Sequence, residues 1–137
     1  MAHPELDPAL DRALTALGDR WSLQLVRALL AGPSRYNDLS GALGGIAPNV
    51  LAARLRHLEA AGLLAAEPYQ ERPRRFVYRL TEDGRELADV LAVLEAWASR
   101  RSRGDGAQVH DACGTPVQWR AWCPTCEVPA DEGETWV

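Results

Sequence analysis

Between Ser34 and Leu80 the period of the apolar residues changes once, from helical to alternating, and glycines mark the joints. Tyr36, Leu39 and Leu43 recur at helical spacing behind Ser34, which is placed to cap a short helix, and Gly44-Gly45 then turns the chain. A second helical run follows at once. With Leu51 at the centre of its inward face, a step of about 100° per residue brings Ala47, Leu55, Leu58 and Gly62 to the same side. The same rotation turns Asn49, Ala53, Arg56 and Ala60 outward, with Ala52 and His57 beside them. Past Gly62 the pattern becomes that of a β-hairpin, in which Phe76, Tyr78 and Leu80 alternate with Val77 and Arg79. Arg72, Arg74 and Arg75 fall at its tip around Pro73, and Pro68 predicts an edge position for the first strand, because proline lacks a ladder donor.

The flanks are helical. Leu6, Leu10, Ala13, Leu14 and Leu17 predict a helix over about residues 7–17, capped by Asp7 with Pro8 in its first turn and ended by Gly18. A second helix is expected to begin near Asp19, to carry Trp21, Leu25, Val26, Leu29 and Leu30 on a broad apolar face, and to stop at Gly32-Pro33. Thr81 caps a long helix through about Ser99, with Glu82 and Asp83 at its positive end and Arg100, Arg101 and Arg103 at its negative end. Its stripe of Leu87, Val90, Leu91, Leu94, Trp97 and Ala98 needs a cover, either the chain's own core or a partner helix. Ser102-Arg103-Gly104-Asp105-Gly106 reads as a linker to a tail of about thirty residues.

A length of 137 residues suits one domain with a small appendage, residues 1–103 and 104–137, and excludes a large multidomain enzyme. No apolar run is long enough to cross a bilayer and the start has no signal-peptide pattern, so a cytoplasmic chain is expected. The net charge of -4 hides an uneven distribution. Residues 1–19 hold one arginine against four acids, residues 20–80 nine against four, residues 81–103 four against five, and the remainder one against six. A basic middle between acidic ends suits a phosphate-rich partner better than the total suggests.

Two short helices joined by a glycine turn, followed by a hairpin with arginines at its tip, make the layout of a winged helix-turn-helix. The fold class is therefore mainly α with a small β-hairpin wing, plus a short Cys/His-containing tail. In that layout the second helix enters the major groove, whose width of about 12 Å matches a helix with its side chains, and the hairpin follows the backbone. Asn49 can bond an adenine edge, Arg56 a guanine or a phosphate, and His57 either; taken alone, the three equally describe a solvated helix face. Arg72, Arg74 and Arg75 suit sugar-phosphate, where the guanidinium fork matches the anion.

Four stretches carry a family resemblance: Leu17-Gly18-Asp19-Arg20-Trp21-Ser22-Leu23, Gly32-Pro33-Ser34-Arg35-Tyr36-Asn37-Asp38-Leu39, Gly45-Ile46-Ala47-Pro48-Asn49-Val50-Leu51-Ala52-Ala53-Arg54-Leu55-Arg56-His57-Leu58-Glu59, and Tyr78-Arg79-Leu80-Thr81-Glu82-Asp83-Gly84-Arg85. In this order they resemble the HxlR-type, MarR-like winged helix-turn-helix transcriptional regulators, over about residues 7–97. The resemblance implies a homodimer on double-stranded DNA with a near-palindromic operator. It implies DNA contact by Ser34, Arg35 and Tyr36, by Pro48, Asn49, Ala53, Arg54, Arg56 and His57, and by the wing residues Arg72, Arg74 and Arg75. It implies dimer contacts through Leu10 and Leu14 of the first helix and Leu87, Val90, Leu91, Leu94 and Trp97 of the last. Two departures stand out. Ala52 and Ala53 replace side chains that are often polar, which shifts readout toward DNA shape. Glu5-Leu6-Asp7-Pro8 stands where thiol-sensing members commonly carry a cysteine.

All three cysteines lie in the tail, where His110, Cys113, Cys123 and Cys126 form H-x2-C-x9-C-x2-C. Each x2 pair can wrap two donors around one ion, which is the pattern of a small zinc ribbon holding one structural Zn2+. Free thiols, or a redox pair of Cys123 and Cys126, are the other readings. Trp119, Trp122 and Trp136 are candidates to pack the tail. No nucleophile has a base in its motif and no glycine loop cradles phosphate, so no enzyme is expected. The expectation is a dimeric, sequence-specific regulator of transcription. The alternatives are a metal- or redox-responsive sensor acting through the tail, and a protein-interaction module without DNA binding.

Overall fold

A computed structural model describes residues 7–101 and 108–130. The linker, the 103/104 boundary and Trp136 lie outside these residues. The chain forms two compact units, residues 1–91 and 92–137. Among the described residues no helix is long and apolar enough to cross a membrane.

Helix α1 spans Pro8–Leu17, and the Asp7 carboxylate caps it by accepting from Ala9 N at 2.8 Å. α2 (Ser22–Leu30) begins three residues later than the sequence predicts, because Asp19 lies outside the helix as its anchor. Its carboxylate accepts from the amides of Trp21 at 2.8 Å and Ser22 at 3.0 Å and from the buried Ser22 hydroxyl. A two-residue strand, β1 (Ser34–Arg35), precedes α3 (Tyr36–Ala42). Ser34 was expected to cap that helix; its hydroxyl instead donates to Gly32 O at 3.2 Å, and Asp38 closes the first turn by accepting from Arg35 N at 3.1 Å. α4 (Pro48–Ala60) buries Leu51, Leu55 and Leu58. Ala47 and Gly62, expected on that inward face, are exposed because they lie beyond its two ends, Ala47 at the N-cap and Gly62 after the C-cap.

β2 (Leu64–Glu71) and β3 (Arg74–Leu80) pair antiparallel, with Leu64 opposite Leu80 and an irregularity between Pro68 and Gln70. β1 adds to the other side of β3, Ser34 opposite Tyr78, so the sheet order is β1-β3-β2 and the proline-bearing β2 is an edge strand. Leu25, Val26, Leu29, Leu39, Leu51, Leu55, Leu58, Leu64, Leu80 and Leu91 share one core, which joins both helices of the helix-turn-helix to the base of the hairpin.

The final helix, α5 (Glu82–Arg101), is entered through a polar joint. Thr81 Oγ1 donates to Gly62 O at 2.6 Å and accepts from Gly84 N at 3.1 Å, while Thr81 N donates to Leu63 O at 3.1 Å. Gly84 is buried here, and a Cβ at this position would collide with Leu63 O, so only glycine lets the helix start against the Leu63 carbonyl. In the second unit, β4 (Trp122–Cys123) pairs antiparallel with β5 (Val128–Pro129), and Val109 bridges Pro116.

Candidate nucleic-acid interface

Proline at the first position of α4 leaves no amide unsatisfied there, and the helix is fixed to its neighbours on three sides. The Tyr36 hydroxyl donates to Pro48 O at 2.8 Å and so ties the first turn of α3 to the first turn of α4. Arg54 Nη1 donates to Asp19 at 3.2 Å, across 35 residues of sequence. His57 Nε2 donates to Ala16 O at 3.0 Å, near the end of α1. Burial raises the Asp19 pKa, but hydrogen bonds from the Ser22 hydroxyl, the Trp21 and Ser22 amides and Arg54 outweigh it and hold the carboxyl below its usual value. Arg54 and His57, both candidates for DNA contact, thus have part of their polar capacity engaged by the protein itself.

Asn49 and Arg56 remain exposed on α4, while Ala53 is half-buried. Arg56 also acts inward. The Tyr78 phenol is pushed up, first by burial and then by Glu59 and Tyr36, and Arg56 opposes this. Beside the helix-turn-helix, Arg35 is exposed on β1 and lies over the Tyr69 ring of β2, 4.7 Å from its centroid. Arg72, Arg74 and Arg75 are exposed at the hairpin tip, with Arg74 6.0 Å from the Phe76 ring centroid. Arg79 pairs with Glu67 at 2.8 Å, which removes one positive charge from the hairpin's effective surface. Tyr69 and Asp19 are the residues that the sequence reading missed. Tyr69 sits in no motif, and Asp19, although inside the first of the four family-like stretches, has no role that can be read there; each acts through a partner brought near by the fold.

Of the residues expected at a dimer contact, Leu10 and Leu14 are each 57% exposed on α1. On α5, Val90, Leu94 and Trp97 are exposed, together with Val93. Leu91 is buried and Leu87 packs on the core, so these two serve the chain's own interior.

The four tail donors form two pairs. His110 Nδ1 and Cys113 Sγ are 3.4 Å apart, in a turn where Gly114 N donates to His110 O at 2.7 Å and Gly114 takes φ +67°. Hydrogen bonding with the Thr115 side chain, and then with its backbone, holds the Cys113 thiol below its usual pKa. Cys123 is lowered likewise, by the amides of Cys126 and Thr125 and then by the Cys126 side chain. Among the described residues no three His, Cys, Asp or Glu side chains form a group able to hold a metal, so each pair stands separately.

Residues 16–104 match the HxlR-like helix-turn-helix family. An uncharacterized HTH-type transcriptional regulator of Mycobacterium tuberculosis is 35% identical over 130 residues, covering 92% of this chain and 82% of that protein. A span of that length requires part of the tail as well as the helix-turn-helix. The HTH-type transcriptional regulator YodB of Bacillus subtilis is 31% identical over 93 residues, covering 68% of this chain and 83% of YodB. The structure of reduced YodB superposes with a TM-score of 0.63 over 73% of this chain and 99% of that one, at 31% identity. A MarR-family regulator of Enterococcus faecalis gives 0.61 over 74% and 94%, at 34% identity. With the helix-turn-helix, the three-stranded wing and the sequence match all agreeing, the chain belongs to the HxlR-like helix-turn-helix family and is a DNA-binding transcriptional regulator.

Proposed function

We propose that the protein acts as a homodimer on a near-palindromic operator, with α4 in the major groove, the wing on the flanking backbone, and no catalytic activity. The observation that carries this reading is the set of exposed guanidinium groups on the helix-turn-helix and its sheet: Arg56 on α4, Arg35 on β1, and Arg72, Arg74 and Arg75 at the wing tip. Asn49 and Arg56 are the base-reading candidates, because both are exposed polar groups on the helix that the groove admits. Pro48 and Tyr36 set the angle of that helix, Arg54 and His57 brace it, and Ser34 carries Arg35 in β1. Ala53 offers only apolar contact, such as to a thymine methyl group.

Self-association is supported by the exposed Leu10 and Leu14 of α1 and by Val90, Leu94 and Trp97 of α5, large apolar side chains that a partner would cover. The test is fluorescence anisotropy with the DNA upstream of the protein's own coding region, combined with sedimentation of the complex. Two chains per site and a large loss of affinity in the R72A/R74A/R75A variant are expected. One chain per site, or unchanged affinity in the variant, contradicts the reading.

A further inference from the structure

The tail forms a unit whose chemistry the DNA-binding reading does not use. Its two donor pairs occupy equivalent places, each in a tight turn closed by a short antiparallel β pairing. His110 and Cys113 sit inside the Val109–Pro116 bridge, where His110 N donates to Thr115 O at 2.9 Å and Val117 N to Gln108 O at 2.7 Å. Cys123 ends β4, and the turn holding Cys126 returns through Glu127 N to Cys123 O at 2.9 Å before β5.

The spacing of the first pair has a metric meaning. Sulfur at about 2.3 Å and nitrogen at about 2.0 Å from a tetrahedral zinc ion stand about 3.5 Å apart. His110 Nδ1 and Cys113 Sγ stand at 3.4 Å. The first pair therefore has the spacing of half a tetrahedral site, and a second backbone-closed turn carries Cys123 and Cys126.

We propose that His110, Cys113, Cys123 and Cys126 together bind one zinc ion per chain, the metal drawing the two preformed turns into a single Cys3His site. Each coordinating thiol releases its proton to solvent, and the imidazole binds as the neutral ring. Three thiolates and one imidazole suit zinc among divalent ions. Four protein donors leave no position for substrate or water, so the ion is structural and folds the tail.

The experiment uses the full-length reduced protein: metal content after purification, then titration of the metal-free chain with Co2+, whose absorption reports tetrahedral thiolate ligation. One zinc per chain and a tetrahedral cobalt spectrum saturating at one equivalent are expected, with that spectrum lost in C113S, C123S and C126S. His110→Cys supplies a fourth thiolate and keeps the tetrahedral spectrum with stronger thiolate charge transfer, whereas His110→Ala loses it. Absence of a cobalt spectrum, one metal shared by two chains, or a spectrum that survives C113S and His110→Ala overturns the proposal. None of these readouts involves DNA, so the site stands or falls independently of the operator-binding reading.

Discussion

Single residues decide how the recognition helix is held. Asp19 joins the start of α2 to Arg54 of α4, and its lowered pKa makes the brace sensitive to acid. A carboxyl whose folded pKa lies below its ordinary 3.8 contributes stability above that value, and the contribution fades as pH falls through the lowered folded value. In chemical denaturation D19N is expected to be less stable than wild type at neutral pH, with the gap narrowing below about pH 4; a gap independent of pH speaks against the brace. Gly84 is the second such residue. G84A drives a methyl group into Leu63 O and is expected to cost about 1–3 kcal/mol in urea unfolding. Neither role could be read in the sequence: Asp19 is separated from Arg54 by 35 residues, and Gly84 looks like a helix defect until the Leu63 carbonyl is seen against it.

At the scale of elements, periodicity revealed the helices because each of α2, α3 and α4 buries a leucine face in the same core. The alternation of Phe76, Tyr78 and Leu80, with Pro68 on the partner strand, was enough to identify the hairpin and its edge. β1 was not legible. Two residues have no period, and Ser34-Arg35 is a strand only because the free side of β3 offers backbone partners at Val77 and Tyr78. The same limit applies to His57, placed beside the outward face, and to Arg54, implied as a DNA contact, whose orientations depend on the end of α1 and on Asp19. Asn49 and Arg56 keep their outward positions, and each alanine substitution there is expected to cost about 1–3 kcal/mol on the preferred site and to relax base preference at one position. Binding measured on single-base variants of the operator checks this. Equal losses on every sequence would reassign the residue to phosphate contact.

The whole molecule separates its charge by task, with a basic helix-turn-helix and wing between acidic ends. The proposed self-association would double the basic surface, and the exposed apolar side chains of α1 and α5 are its candidate contact. L94E and W97E are expected to shift the chain toward monomer in sedimentation velocity and to weaken operator binding together; a variant that stays dimeric moves the contact away from α5. The central claim is that wing and helix grip one duplex through arginine. It is tested most directly by the slope of log affinity against log salt for wild type and for R72A/R74A/R75A. A steep wild-type slope is expected, shallower in the variant by about 0.9 for each lost phosphate contact, or about five for six contacts per dimer. Identical slopes, or wild-type binding that ignores salt, would contradict it.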